Sequence, residues 1–383
     1  MSATHLNCGY VPLIDSAPLI IAKELNFAAE EGLELTLTPQ PSWSALRDML
    51  ALGHLEAAQM LAPMSVAMSM GLGGLSAQID ALMVLSVNGT IIGVSKDLSD
   101  AMGDVPFADP KLNAEALLAA AKGKLRVGVP FPFSMHRLLF EYWLSDKAAE
   151  AGIEIEIVTT PPPRMADALE NGLVDVFCVG EPWGSVAVAR GVGRLILPSS
   201  AIWQFAPEKV LAVRHGWANE NPETCGALMR AIYKAARWLD TGSNKPLAVD
   251  ILSRSAHLDL PDTVIDPAIS NSLSPDMGLP GEHVENFLIF NRHAANFPWR
   301  SQAAWIAARL NADAEGIETA KKSFRSDLYR QHLSTIGADM PGASEKLEGS
   351  MRHATAVAST RGHLILGPDA FFDGKIFDSG QEV

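Results

Sequence analysis

The sequence predicts an α/β protein built as two lobes, with mainly parallel sheets that face each other across a cleft. Three observations predict it. The chain has 383 residues, a β-α-β-α-β unit occurs twice, and two extended apolar stretches can run between the copies. A single hydrophobic core stops growing near ~250–300 residues, so a chain of this length divides. With 48% hydrophobic and 19% charged residues it has enough apolar material for a full core and little tendency to disorder.

The first copy opens at residues 6–12 (LNCGYVP), a short strand running into a Gly/Pro turn. A helix follows from Ser16, with Pro18 in its first turn, where a missing N–H costs nothing. It ends near Glu31-Gly32, and residues 33–37 (LELTL) alternate as a strand. A second helix from Ser42 runs to Leu52-Gly53 and leads into another strand at Leu55. The second copy repeats the order. Residues 125–130 form a strand and turn, 135–151 a helix stopped by Gly152, 153–157 (IEIEI) a strand, 165–170 a helix with Gly172 as its cap, and 173–179 a strand. The pairs Gly9/Gly128, Gly32/Gly152 and Gly53/Gly172 keep nearly the same spacing.

Residues 85–94 would carry the chain outward and 207–213 would bring it back. This gives a first lobe over 1–93, a second over 94–209, and 210–383 as the return to the first lobe plus C-terminal helices. From Trp217 the pattern is helical, interrupted at 270–280 and closed by a Gly/Asp-rich tail. Ligands of such sheets sit beyond the carboxyl ends of the strands, so the turns at 12–16, 38–43, 130–136 and 180–183 are expected to line the cleft.

Composition excludes several functions. A formal net charge of −14 and no basic patch argue against direct nucleic-acid binding. The three cysteines, Cys8, Cys178 and Cys225, are too few and too scattered for a disulfide framework or a four-ligand zinc site. No metal, cofactor or catalytic residue is expected, because a Gly-x-Ser-x-Gly elbow, a His-Glu-x-x-His helix and a P-loop are all missing. Gly71-Leu72-Gly73-Gly74 follows a helical run and not a strand, which makes a dinucleotide loop a poor reading. No run approaches ~18 uninterrupted apolar residues, and no membrane span is expected. Residues 1–8 have neither a basic start nor an apolar run, which predicts a cytoplasmic protein.

The candidate site residues are of few kinds. Lys209 enters a strand from a lobe-crossing connector, and an ammonium in the cleft would demand an anion. His136 and Trp43 each open a helix, where unpaired N–H groups favour an oxyanion; Trp43 could add an apolar wall. Gly180 begins a tight turn whose N–H could donate, while Glu181 orders that turn. Replacing Lys209 by Glu is expected to abolish anion binding while the fold survives.

Residues 9–19 (GYVPLIDSAPL), Ser42-Trp43, 177–183 (FCVGEPW) and Pro207-Glu208-Lys209 resemble the nitrate- and bicarbonate-binding proteins of ABC transporters. The similarity covers most of the chain and is densest before Trp217. It implies a periplasmic-binding-protein-like (type II) fold with a hinged cleft. It places Trp43, His136, the Gly180 turn and Lys209 where nitrate-binding members touch their ligand. Thr90 stands where those members have a glutamine, so a hydroxyl or backbone N–H would replace that contact. Bicarbonate-binding members resemble this chain less at Lys209, having an acidic residue and calcium there. The resemblance thus implies nitrate or nitrite held without a metal. Within the family the chain is most similar to cytoplasmic nitrate/nitrite sensors of the NasS type. That implies a NasT-like ANTAR antiterminator as partner, held when nitrate is scarce and released when it binds. A transport receptor, or a pyrimidine-precursor enzyme on the same fold, are the rivals.

Overall fold

Among the described residues two sheets position everything else, and their ten longer strands are labelled here in chain order. They are β1 Thr4–Tyr10, β2 Leu33–Pro39, β3 Ala57–Leu61, β4 Ile79–Asn88, β5 Thr90–Ser95, β6 Lys124–Val129, β7 Glu154–Thr159, β8 Val176–Gly180, β9 Gly193–Pro198 and β10 Pro207–Arg214. The computed structural model describes residues 3–74, 77–360 and 362–381; Met1 and Ser2, where the expected leaderless start begins, lie outside them. In the first sheet the order is β4-β10-β3-β1-β2, with the short strand Leu288–Ile289 beyond β4. The second has the order β7-β6-β8-β5-β9.

The two-lobed α/β expectation holds, and both copies of the β-α-β-α-β unit form. Their helices are Ala17–Glu24 with Phe27–Glu30, and Trp43–Ala51, in the first copy, and Met135–Glu150 and Met165–Glu170 in the second. The expectation of mainly parallel sheets needs correction, because both sheets are mixed. β1 pairs parallel with β2 and β3, but β10 is antiparallel to β3 and β4. Likewise β6 pairs parallel with β7 and β8, but β5 is antiparallel to β8 and β9. The reason is topological. The repeat strands end at the cleft, whereas β5 and β10 have just crossed from the other lobe and so begin there. The expected connectors, residues 85–94 and 207–213, run between the lobes as parts of β4, β5 and β10. β4 is buried at every position, as a strand covered on both faces must be, and β10 is buried up to its last residue.

The crossing points are stitched together. Asn88 and Gly89 both take positive φ, at 60° and 86°, to turn β4 into β5. The Asn88 N–H donates to Ala206 O (2.9 Å), Ala206 N–H donates back to Asn88 Oδ1 (3.1 Å), and Asn88 Nδ2 donates to Gln204 O (2.8 Å). One side chain thus ties the outgoing strand to the returning one.

After β10 the helix Pro222–Leu239 packs on Ala17–Glu24, anchored by Arg230 on Glu31 (2.7 Å) and Lys234 on Glu31 (2.8 Å). Helix Asp262–Ser270 reaches Trp183–Ala189 of the second lobe. Helices Arg300–Arg309 and Ala314–Ser323 cover Ala62–Ser69. An antiparallel hairpin, Thr355–Ser359 with Gly362–Leu366, was not foreseen from the sequence. Beyond it Phe371 stacks on Trp203 and Trp305, and Asp373 accepts a hydrogen bond from Tyr142 Oη at 2.8 Å. Among the described residues no helix is long and apolar enough to cross a membrane.

Candidate functional site

Where β10 begins, Lys209 is fully buried, with its ammonium 2.7 Å from Asp15 Oδ2 and 2.8 Å from Glu208 Oε1. Its Nζ also lies 5.4 Å from the ring centroid of Trp43, close enough for a cation–π attraction. Burial works against the charged ammonium, but Asp15 and Glu208 outweigh it and raise its pKa. Burial also pushes the Glu208 carboxyl up to about 7, with Lys209 opposing that shift. Asp15 is raised by burial too, although Lys209 and Gln59 pull the other way; Gln59 Nε2 donates to Asp15 Oδ1.

From the second lobe comes His136, at the start of helix Met135–Glu150, whose N-cap Ser134 accepts from Arg137 N–H at 3.2 Å. Its ring is fully buried, and neither nitrogen has a hydrogen-bond partner, although Nδ1 stands 3.3 Å from Glu208 Oε1. Burial, and then Lys209, hold its pKa well below the usual value. Thr90, first in β5, pairs in register with Gly180, last in β8. The Thr90 hydroxyl is buried without a partner, as are Trp43 Nε1 and the hydroxyl of Ser86, the residue opposite Lys209 on β4. A Cβ on Gly180 would sit 2.6 Å from Leu13 Cδ2, 3.5 Å from Asp15 Oδ2 and 3.7 Å from His136 Nε2. Only glycine lets the lobes meet so closely there.

Trp43, Thr90, His136, Gly180 and Lys209 therefore gather at one seam, although they come from five separate elements. Trp43 starts its helix behind the N-cap Ser42, which accepts from Ala45 N–H at 3.2 Å. Glu181 orders its turn as expected, accepting from Ser185 N–H at 3.1 Å. The lobes are shut over the seam: Ile14 N–H donates to Glu181 O at 3.0 Å and Trp183 Nε1 to Pro12 O at 3.1 Å.

The structure corrects the argument that Lys209 is a lone charge awaiting an anion. Two protein carboxylates already face it, so replacing it by Glu would put three together without a cation, and the fold would not survive that change untouched. Asp15 and Glu208 were missed as site residues. Alternation along a strand would send Glu208 and Lys209 to opposite faces. The register of β10 against β4 is irregular on both sides of Lys209, however, and a bulge of this kind lets neighbouring side chains reach one centre. Asp15 stood inside a turn, and the one available hint was an acidic residue in an otherwise apolar stretch.

Chemically, the seam offers one cation already faced by two carboxylates, an indole face, and several buried polar groups without a hydrogen-bond partner. Unsatisfied buried donors cost about 1–3 kcal/mol each, so the arrangement suits a small guest with several acceptor atoms. Burial, and then Glu208, push the nearby Cys178 thiol well above its ordinary pKa, so it stays protonated.

Comparison with known proteins gives the family and the fold. The model of the NMT1-like family matches residues 2–253. The chain is 32% identical over 342 residues to the nitrate import ATP-binding protein NrtC of Synechocystis sp., covering 87% of this chain but only 50% of that protein. It is 30% identical over 394 residues to the nitrate/nitrite binding protein NrtA of the same organism, covering 98% of this chain and 82% of the relative. The crystal structure of the periplasmic nitrate-binding protein NrtA from Synechocystis superposes with a TM-score of 0.84 at 26% identity, covering 98% and 96% of the two chains. This likeness identifies the two lobes as a periplasmic-binding-protein-like fold, and the chain belongs to the NMT1-like family as a homologue of the NrtA nitrate/nitrite binding proteins.

Proposed function

We propose that this chain binds one small planar monoanion, nitrate or nitrite, by closing its lobes, and performs no chemistry on it. The observation that carries the reading is the set of buried polar groups without a hydrogen-bond partner, on His136, Thr90, Ser86 and Trp43, gathered about the Lys209 ion-pair cluster. Nitrate presents three weakly basic oxygens around one delocalised charge, which matches a single cation, several donors and a flat apolar wall. Charge-assisted hydrogen bonds supply most of the affinity. The names of the NrtA relatives support the same ligand. Calorimetric titration with nitrate, nitrite, sulfate and bicarbonate tests it; the reading fails if neither nitrate nor nitrite binds.

Within that reading the chain acts as a cytoplasmic sensor that holds a NasT-like ANTAR antiterminator in the open form and releases it on closure. The donors lie on both lobes, so the anion favours the closed form, and a partner that prefers the open form is expelled by reciprocity. A coupling of roughly 1–3 kcal/mol changes partner affinity about 5–150-fold. A transport receptor is the second reading, favoured by relatives that are named for nitrate import and nitrate binding. Gel filtration of the chain with such an antiterminator separates the two. Dissociation by nitrate supports the sensor, and no complex under any condition supports the receptor.

A further inference from the structure

We infer that the anion enters this site together with one proton from solvent, lodged across the 3.3 Å contact between His136 Nδ1 and Glu208 Oε1. The inference rests on the anion-binding reading above and adds how the charge is balanced.

The argument begins with charge. Asp15 and Glu208 face the single ammonium of Lys209 in a cluster that solvent does not reach, so the ionised cluster is already one charge negative. A second negative charge arriving as an anion would be opposed by both carboxylates at short range, in a medium that screens poorly. One added proton removes that excess.

The donors give an independent reason. A neutral imidazole has one N–H. In His136 that N–H has two competing acceptors, the Glu208 carboxylate beside Nδ1 and any guest beside Nε2, next to Gly180. With one more proton both needs are met: Nε2–H donates to the guest while the Nδ1–Oε1 contact holds the other hydrogen. Whether that hydrogen sits nearer nitrogen or oxygen leaves the count unchanged.

The surrounding groups narrow the location. From the turn after β1, Asp15 is tied to Lys209 and Gln59. On β10 stand Glu208 and Lys209 themselves, and on β8 the Cys178 thiol, which burial keeps protonated. Glu181, after β8, accepts from Ser185 N–H through Oε2, while its Oε1 is buried without a partner. Opposite Lys209, β4 contributes only the neutral Ser86. Burial sets Glu208 to titrate at about 7, within reach of an ordinary pH change.

Calorimetry on the unaltered chain tests the inference, with nitrate titrated at pH 6 to 9 in two buffers of different ionisation enthalpy. Nitrate carries no proton over this range, so any proton uptake belongs to the protein. The expected result is a Kd nearly constant below pH 7 that weakens by about tenfold per pH unit above it, with one proton taken up per anion at pH 8. A Kd equal at pH 6 and pH 9, with heats independent of buffer, overturns the coupling and leaves anion binding intact. No heat at any pH overturns both. Glu208→Gln is expected to lose the slope and to bind more tightly than the parent at pH 9. A slope retained in a folded Glu208→Gln variant removes the proton from this contact, and the proton count on the parent chain stands whether or not the variant folds.

Discussion

Two lysines in this chain are built alike and differ in what surrounds them. Lys209 lies between Asp15 and Glu208 beneath Trp43; Lys346 lies between Glu348 and Asp369, 5.7 Å from the Trp299 ring and 6.0 Å from that of Phe205. Around Lys346 every carboxylate oxygen has a partner. Ser301 Oγ donates to Glu348 Oε1 (2.7 Å), Met351 N–H to Asp369 Oδ1 (2.7 Å), and Lys346 itself takes the remaining two. Trp299 Nε1 is left over beside it. Around Lys209 the orphans include both nitrogens of one imidazole, two hydroxyls and an indole N–H, converging from both lobes, besides Asp15 Oδ2, which is held only by its ion pair. A buried ion pair alone says little about function. The proposed site differs from the tie in the unsatisfied polar groups around it.

The sharpest way to break this comparison is to neutralise each lysine. Lys209→Met and Lys346→Met both strand two carboxylates, and each is expected to lose about 3–5 kcal/mol of stability in urea denaturation. Only the first is expected to abolish nitrate binding. If the Lys346 variant also loses the anion while remaining folded, the distinction between the two clusters collapses. Next in size is His136→Leu. Removing a charge-assisted donor worth about 1.5–3 kcal/mol weakens nitrate about 10–100-fold, with the melting temperature equal or higher because two orphaned nitrogens disappear. An unchanged Kd would place the anion elsewhere.

Gly180→Ala sharpens the same contrast by geometry. The new methyl overlaps Leu13, so strain of about 1–3 kcal/mol falls on the closed state. Affinity should fall about 5–150-fold, and small-angle scattering should show a larger radius of gyration. Equal radii for parent and variant would mean that the methyl is absorbed locally. The smallest effect concerns pH. Glu208 and Glu181 are both pushed up to about 7 by burial, so the folded chain binds more protons than the unfolded one between the ordinary glutamate value and about 7. Their contribution is complete below the ordinary value and lost as pH rises through about 7. The melting temperature should accordingly be a few degrees higher at pH 6 than at pH 8.5, and a flat profile would put both side chains in contact with water.

Much of the architecture was legible because glycine marks it twice over. Gly32, Gly53, Gly152 and Gly172 hold positive φ at helix ends, a conformation that a side chain resists. Gly9 and Gly128 serve differently: a Cβ on the first would meet Leu55 and Leu46, and on the second Met165, so each lets a helix approach its strand. Paired spacing in the sequence therefore reported paired geometry. The reversed strands β5 and β10 were not legible, since an apolar run has no direction written in it. Of the seam, residues at helix starts and turns could be found, but Glu208 was hidden by a bulge that only strand pairing creates.

The Lys209 side chain is fully buried where the lobes meet, so on the proposed reading a guest held beside it leaves only when the lobes part. Escape on that reading waits for the strands tied together at Asn88 to swing apart. The residence time of whatever is held inside is thus a clock of that swing. Ligands of very different affinity would leave at similar rates wherever opening is the slow step, and they would differ mainly in how quickly they are caught.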